Sequence, residues 1–462
     1  MKIRTESSSF RDPSGVVFYD ANGLVHRGIN KSYLPVFNMF IKSGLYENLV
    51  KQELIVAHQE VNKYNKVFSK VIKPDIVPLI SYPYEWSFSQ LKDAALTTLK
   101  IQKISIEHGL SLKDASAYNI QFFGYKPKLI DTLSFEKYNE VLPWVAYKQF
   151  CQHFLAPLTL MSKKGLEFSK LSRLYIDGIP LSLTVNILGL KSFANWSTFS
   201  HIFLHSKSQE RYSDKGISVK SSRLKFSKVQ MLSLLESLEN AIRKLSFPMS
   251  KTEWGEYYSF TNYSDKSFTK KKKIVKEMVS GLSLNQVWDL GANNGEFSRV
   301  VFGDTNYVLS ADIDPVAVEK NYLLSKENKE SELLPVVFDL VNPSPSIGWL
   351  NKERMSLMDR KKKGVMVMAL ALIHHLAISN NLPFVKIAEY FSSLGKYLIV
   401  EFVPKDDSKV KILLSSREDI FVNYNETSFV EDFSKYYTIL KKVLVPGSKR
   451  VLYRMTRRTS IQ

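Results

Sequence analysis

The sequence holds a single cysteine, Cys151, among 462 residues. One thiol excludes a disulfide scaffold and any thiolate metal cluster built from one chain. Long apolar runs are missing too. The longest, Val365–Ile378, is interrupted by His374 and His375. It falls short of the ~20 apolar residues that a membrane-spanning helix needs. The N-terminus, MKIRTESSSFRDPSG, has no apolar core and does not read as a secretory signal. A cytoplasmic setting with no transmembrane segment is therefore the expectation. No repeat at solenoid spacing and no Pro/Gly/Ser-rich linker appears. Acidic residues are the scarcer sign of charge, with 45 Asp and Glu against 64 Lys and Arg, a net of +19.

What is present is material for folded cores. The chain is 44% hydrophobic and 12% aromatic, which excludes a disordered protein. At ~150 residues per domain, two or three domains are expected. The basic surplus is uneven: residues 1–250 carry a net +13 and residues 251–462 a net +6. A positive field favours anionic partners such as nucleic acid, phosphorylated glycans or an anionic membrane surface. A lysine-rich surface with no specific partner explains the same number. The runs Lys270–Lys273 and Lys361–Lys363 read as solvated helix ends or loops.

The texture changes along the chain. Residues 16–28 read as a hairpin, with Asn22-Gly23 supplying the positive φ of a tight turn. Residues 45–66 and 88–108 have helical apolar spacing. From Trp144 to about Leu245 the chain reads as mostly helical. After Pro248 come an aromatic segment, TEWGEYYSFTNY, and a lysine-rich helix over 270–280. From Val287 onward short apolar runs alternate with helical stretches, the pattern of a parallel sheet with crossover helices. The boundary is placed near 248–255, giving domains 1–250 and 251–462.

The sharpest segment is VWDLGANNGEFSRVV, residues 287–301. An apolar strand runs into Asp289-x-Gly291-x-Asn293-x-Gly295, and a helix follows. Glycines at such a turn let a ligand approach the backbone, and the helix N-terminus offers free N–H groups. A second strand, YVLSADID, ends in Asp312, 23 residues after Asp289. An acid there is placed to accept hydrogen bonds from a ribose diol, and Asp314 is the competing candidate on the same strand face. Further strands are PVVFD, ending in Asp339; GVMVMALALIHHL, ending near His374–His375; KYLIVEF; and two more around Tyr436–Leu440 and Arg450–Arg454. Asn293 stands where the second glycine of G-x-G-x-x-G should be, which argues against a dinucleotide.

Residues 287–456 resemble a class I S-adenosylmethionine-dependent methyltransferase. The resemblance implies a Rossmann-like α/β fold with a seven-stranded, mostly parallel sheet and S-adenosyl-L-methionine as cofactor. It implies that the turn at Asp289, Gly291, Asn293 and Gly295 cradles the methionine part. Asp312 (or Asp314) would take the ribose hydroxyls, and Asp339 the adenine amino group. His374 and His375 follow the fourth strand, where such enzymes often contact substrate, and one of them is a candidate general base. For either histidine taken singly, packing or loop capping is the slightly favoured reading. The segment Ala371-Leu-Ile-His-His375 is not the N/D-P-P-Y/F pattern of enzymes that methylate amino groups on nucleic-acid bases. LVNPSPSIGW, 340–349, reads as a rigid loop beside the cofactor or substrate.

The first half carries a second pattern. In HGLSLKDASAYNIQFFGYKPKLIDTLSF, residues 108–135, Asp114 precedes Asn119 by five residues and Asp131 follows it by twelve. Protein kinases and small-molecule phosphotransferases space a catalytic Asp, a metal-binding Asn and a metal-binding Asp in this way. The resemblance implies an α+β kinase-like domain, with Asn119 and Asp131 as metal ligands and Mg/ATP as cofactor. The departures are large. There is no Gly-rich phosphate loop, no convincing lysine (Lys42 and Lys51 are poor candidates), and Thr132 rather than glycine follows Asp131. A degenerate module that recognises substrate or partner fits these departures.

Across nearly its full length the chain resembles bacterial class I methyltransferases associated with nodulation and surface polysaccharides. FRDPSG, SYPYEWSF, LKDASAYNIQF, PWVAYKQF and ALALIHHL carry this likeness. It implies O-methylation of a small-molecule or glycan acceptor. The rivals are a bifunctional kinase–methyltransferase acting on a saccharide, and an RNA methyltransferase, motivated by the charge of +19 but less favoured.

Overall fold

The computed structural model describes residues 3–62, 64, 67–189, 200–204, 226–247, 265–362, 364–415 and 417–459. The aromatic segment 252–263 and the expected boundary near 248–255 lie outside the described residues. The chain forms two compact units, Met1–Met249 with Ser346–Arg354, and Ser250–Pro345 with Met355–Gln462.

The N-terminal unit begins with an antiparallel sheet of five strands: β1 Arg4–Thr5, β2 Gly15–Tyr19, β3 Val25–Ile29, β4 His58–Glu60 and β5 Lys70–Pro74, in the order β1-β2-β3-β5-β4. The β2–β3 hairpin pairs Gly15 with Ile29 and Tyr19 with Val25. Its turn closes where expected, with Gly23 at φ +75°. Residues 45–66 are not one helix. The helix stops at Lys51, Glu53 takes a positive φ, and the chain leaves to bridge Leu129 through Ile55 before entering β4. Helical spacing was real there, but pairing with a distant strand overrides it.

The helix Phe88–Glu107 forms as its spacing dictates. Ser87 caps it, accepting from Gln90 N, while Gln90 returns a bond to the Ser87 backbone. It buries a face containing Leu91, Ala95, Leu99 and Ile106. Short strands follow: β6 Leu110–Leu112, the hairpin β7 Ile120–Phe123 with β8 Lys126–Leu129, and β9 Phe135–Lys137, which pairs with β6. Helical pieces fill the described remainder of the half, from Tyr147–Phe150 to Lys228–Lys244.

The C-terminal unit is a seven-stranded sheet flanked by helices. Its strands are β10 Leu284–Leu290, β11 Thr305–Asp312, β12 Leu333–Val337, β13 Val365–Ala369, β14 Tyr397–Phe402, β15 Tyr437–Leu444 and β16 Val451–Arg457, ordered β12-β11-β10-β13-β14-β16-β15. The first five run parallel; β16 is antiparallel to both β14 and β15. Parallel strands covered on both faces read as near-continuous apolar runs. Every residue of Val365–Ala369 is accordingly buried. Val287, Val308, Met366, Met368, Ile399 and Leu452 are fully buried in the core of this unit. The order reverses at β10, with β11 on one side and β13 on the other. In open α/β sheets ligands bind outside the carboxyl ends of the strands at such a point. Among the described residues no helix is long and apolar enough to cross a membrane.

Candidate functional site

The carboxyl ends of β10 and β11 assemble the Gly-rich turn. Gly291, Asn293 and Gly295 take φ of +75°, +52° and +79°. The turn hangs on β11: Gly291 N and Ala292 N donate to Ala311 O at 2.8 and 3.0 Å. Asn293 N donates to Asp312 Oδ2 at 2.7 Å. Gly295 ends the turn and starts the helix Glu296–Val300. Its φ of +79° favours glycine, and a Cβ there would also press on the side-chain ends of Asn321 at 2.5 Å and Arg299 at 2.6 Å. Arg299 fixes the turn from below, forking onto Glu330 and donating to Asn294 O at 2.8 Å.

Asp289 lies beneath this turn, 1% exposed. Ser298 Oγ donates to it at 2.7 Å. Ser310 Oγ lies 2.8 Å from Ser298 Oγ, and Asn321 Nδ2 donates to Ser310 Oγ at 2.8 Å. A hydroxyl carries one proton, so Ser310 is the donor to Ser298 and the chain runs from Asn321 to Asp289. Burial pushes the Asp289 carboxyl up to about 7, against the lowering bond from Ser298, with Asp312 adding to the rise. Asp312 is pushed up to about 6, again by burial first, against the backbone bonds from Asp314 and Asn293. Ser298, Ser310, Arg299 and Asn321 escaped the sequence reading because none is unusual in type or spacing.

Asp314 does different work from Asp312. Its Oδ1 accepts from Val316 N at 2.9 Å and caps the helix Pro315–Glu327. Asp339 follows β12, beside the end of β11, where Phe338 N donates to Asp312 O. Its Oδ1 closes a turn with Val341 N and Asn342 N.

His374 and His375 follow β13 and open a π-helical turn, His375–Ser379. Turns of this type gather at functional sites. The two rings are in contact, with centroids 4.1 Å apart and planes tilted by 42°. His374 is 1% exposed and its Nδ1 has no hydrogen-bond partner. Burial, then His375, Arg450 and Lys271, hold it well below the usual histidine range. His375 is lowered to about 4, by burial and then by Arg450 and Lys409. Both imidazoles are neutral at pH 7. Lys271 ion-pairs with Glu401 at 2.7 Å, with side chains 2% and 0% exposed. It also lies 4.7 Å from the Phe297 ring centroid. Arg450 forks onto Asp407 at 2.8 and 3.1 Å.

Among the described residues, three buried polar atoms around this turn and the end of β13 have no partner: His374 Nδ1, Asn294 Oδ1 and Asn321 Oδ1. The turn conformation, the acids at the ends of β10, β11 and β12, and these unfilled groups fit a nucleoside-bearing cofactor that also presents an ammonium.

In the N-terminal unit, Asp114, Asn119 and Asp131 come together. Ile130 N donates to Asn119 O at 2.8 Å. Asp114 is raised by burial and then by the charge of Asp131, while bonds from Ser116, Asn119 and Gln149 pull it down. The residue the sequence reading missed is Arg27 on β3. Its guanidinium lies 2.5 Å from Asp131 Oδ1 and 2.6 Å from Asp12 Oδ2. A search for lysine could not find it. Lys42 and Lys51 instead end helices.

The segment 346–354 belongs to this unit although it lies between β12 and β13 in sequence. Ile347 packs on Tyr82, Tyr84 and Tyr118. The Arg354 guanidinium sits 4.3 Å from the Tyr118 ring centroid, and Glu353 takes Arg11.

No protein-family model matches the chain. It is 32% identical over 460 residues to nodulation protein NoeA of Rhizobium meliloti (strain 1021), covering 98% of this chain and 96% of that one. Among solved structures, the N-methyltransferase NodS from Bradyrhizobium japonicum WM9 aligns with a TM-score of 0.32 at 10% identity, over 42% of this chain and 98% of its own. The magnesium protoporphyrin IX methyltransferase ChlM from Synechocystis PCC 6803, solved with bound S-adenosylhomocysteine, aligns with a TM-score of 0.32 at 15% identity, over 44% and 93%.

Proposed function

The chain belongs to the family of nodulation protein NoeA, and from that premise we propose that it is an S-adenosylmethionine-dependent methyltransferase acting on an oxygen of a small-molecule or glycan acceptor. The observation that carries the reading is the turn Gly291–Gly295. Three positive-φ residues and the Asn293–Asp312 bond shape it over a buried acid, at the point where the strand order reverses.

When bound, the cofactor supplies an electrophilic methyl on a sulfonium. The residues of the chain bind, align and move one proton. The backbone of the turn and Asp289 would hold the amino-acid part, Asp312 the ribose hydroxyls and Asp339 the adenine. His374 would take the proton at Nδ1, the acceptor O–H bond breaking and an N–H bond forming, while the methyl passes to the oxygen as its C–S bond breaks and that electron pair stays on the sulfur. The imidazole is neutral beforehand, so it is in the accepting form. Burial first, then His375, Arg450 and Lys271, disfavour the imidazolium, so the surroundings that keep His374 in the accepting form also limit its strength as a base. Alignment contributes the larger share of the rate in a direct displacement.

Calorimetric titration with S-adenosylhomocysteine tests the reading. Saturable binding is expected, weakened by ~1–3 kcal/mol in Asp312→Ala through lost charge-assisted hydrogen bonds. No binding by the folded wild-type chain would overturn it.

A further inference from the structure

The resemblance of residues 108–135 to phosphotransferases implies a divalent cation on Asn119 and Asp131. The residues around them do not fit one. Asp131 Oδ1 is occupied twice, by Arg27 Nη1 at 2.5 Å and by Leu133 N at 2.9 Å. Asp12 is occupied on both oxygens, Oδ2 by Arg27 Nη2 at 2.6 Å and Oδ1 by Ser14 N at 2.9 Å. Asn119 donates through its amide N–H groups, to Ser134 Oγ at 3.3 Å and to the Asp114 carboxyl, bonds that do not use the oxygen a cation would take. Asp114 accepts from Ser116 N at 2.9 Å. Magnesium demands near-ideal octahedral oxygen geometry from ligands with free lone pairs. Among the described residues no group of three or more His, Cys, Asp or Glu is arranged to hold a metal ion.

Arg27 is the reason. It lies on β3, the strand from which kinases present a lysine to the nucleotide phosphates. A lysine is a point charge on a flexible stem; a guanidinium is a planar fork that spans two carboxylates at once. Its side chain is 11% exposed. Burial alone would disfavour its charge, but Asp131 and then Asp12 outweigh that and hold it above its ordinary range. A metal ion arriving at Asp131 would have to share the carboxylate with this buried guanidinium and meet its charge at close range, or displace it, and both are unfavourable.

We propose that Arg27 is a built-in cation that takes the place of the divalent metal, bridging Asp12 and Asp131 so that this cluster works without one. The N-terminal unit is then a metal-independent module rather than a magnesium-dependent phosphotransferase. This inference stands apart from the reading of the C-terminal unit.

The test is titration of the full chain with Mn²⁺ alone, followed by electron paramagnetic resonance. Wild type is expected to bind no Mn²⁺ at this cluster up to millimolar concentration, so Asp131→Asn leaves the titration unchanged. Arg27→Gln frees both carboxylates and is expected to gain a saturable site, which Arg27→Gln with Asp131→Asn loses again. Arg27→Lys keeps a cation and gains no site. Saturable wild-type binding that Asp131→Asn abolishes would overturn the proposal. So would a folded Arg27→Gln protein that gains no site. If circular dichroism shows that Arg27→Gln does not fold, the wild-type and Asp131→Asn titrations alone decide.

Discussion

Asp289 is the residue whose chemistry is most exposed to measurement. Its carboxyl rises from an ordinary 3.8 to about 7 on folding. A group raised in this way stabilises the fold in its protonated form. That contribution is complete below about pH 4 and is lost as pH climbs through 7. A bound ammonium facing Asp289 would favour the carboxylate and expel the proton. S-adenosylhomocysteine binding at pH 6.5, where Asp289 is more than half protonated, is therefore expected to release protons. Calorimetry in buffers of different ionisation enthalpy reads this directly. Asp289→Asn should remove most of the release, and the remainder should follow Asp312, which titrates near 6. No dependence on buffer at pH 6.5 would place the ammonium elsewhere.

At the scale of elements, the helix Asp265–Val279 is fastened to β14 by one buried ion pair, Lys271 with Glu401. Lys271→Met removes the cation that pairs with the fully buried Glu401 carboxylate, and should destabilise the C-terminal unit by ~3–5 kcal/mol. Lys271→Met with Glu401→Leu removes both charges and should recover most of that loss. Chemical denaturation of wild type, Lys271→Met, Glu401→Leu and the double variant gives the coupling. A single variant as stable as wild type would mean that the pair is solvated. The same scale shows what the sequence could carry. The β2–β3 hairpin was legible because Asn22-Gly23 encodes its own turn, and β10, its turn and β11 because their signal lies within 26 residues of continuous chain. The Asn321–Ser310–Ser298–Asp289 chain and the Arg27–Asp131 pair were illegible. They join ordinary residues from distant positions, and spacing holds no trace of that. Helical spacing over 45–66 misled because it ignores the bridge that Ile55 makes with Leu129.

At the scale of the whole molecule, the two units do not divide at one point in the sequence. The N-terminal unit is completed by 346–354, a stretch whose composition reads as an ordinary loop. Three contacts hold it there: Ile347 on the tyrosine cluster, Arg354 over Tyr118, and Glu353 on Arg11. Glu353 is 4% exposed and also accepts Trp349 N at 2.6 Å, so its carboxylate organises the segment as well as anchoring it. A fragment ending at residue 249 loses all three contacts and uncovers the Tyr82–Tyr84–Tyr118 cluster. It should melt below the same unit within the full chain, by an amount that adding residues 346–354 as a free peptide does not restore, because the peptide must lose its conformational entropy on docking. In the full chain, Glu353→Ala leaves Arg11 half exposed to water, with only Asp177 at 3.9 Å as its acidic neighbour. The expected loss is therefore the ~1–3 kcal/mol of a charge-assisted bond rather than that of a buried charge. Differential scanning calorimetry separates the cases. A fragment as stable as the intact unit would mean that 346–354 merely rests on its surface.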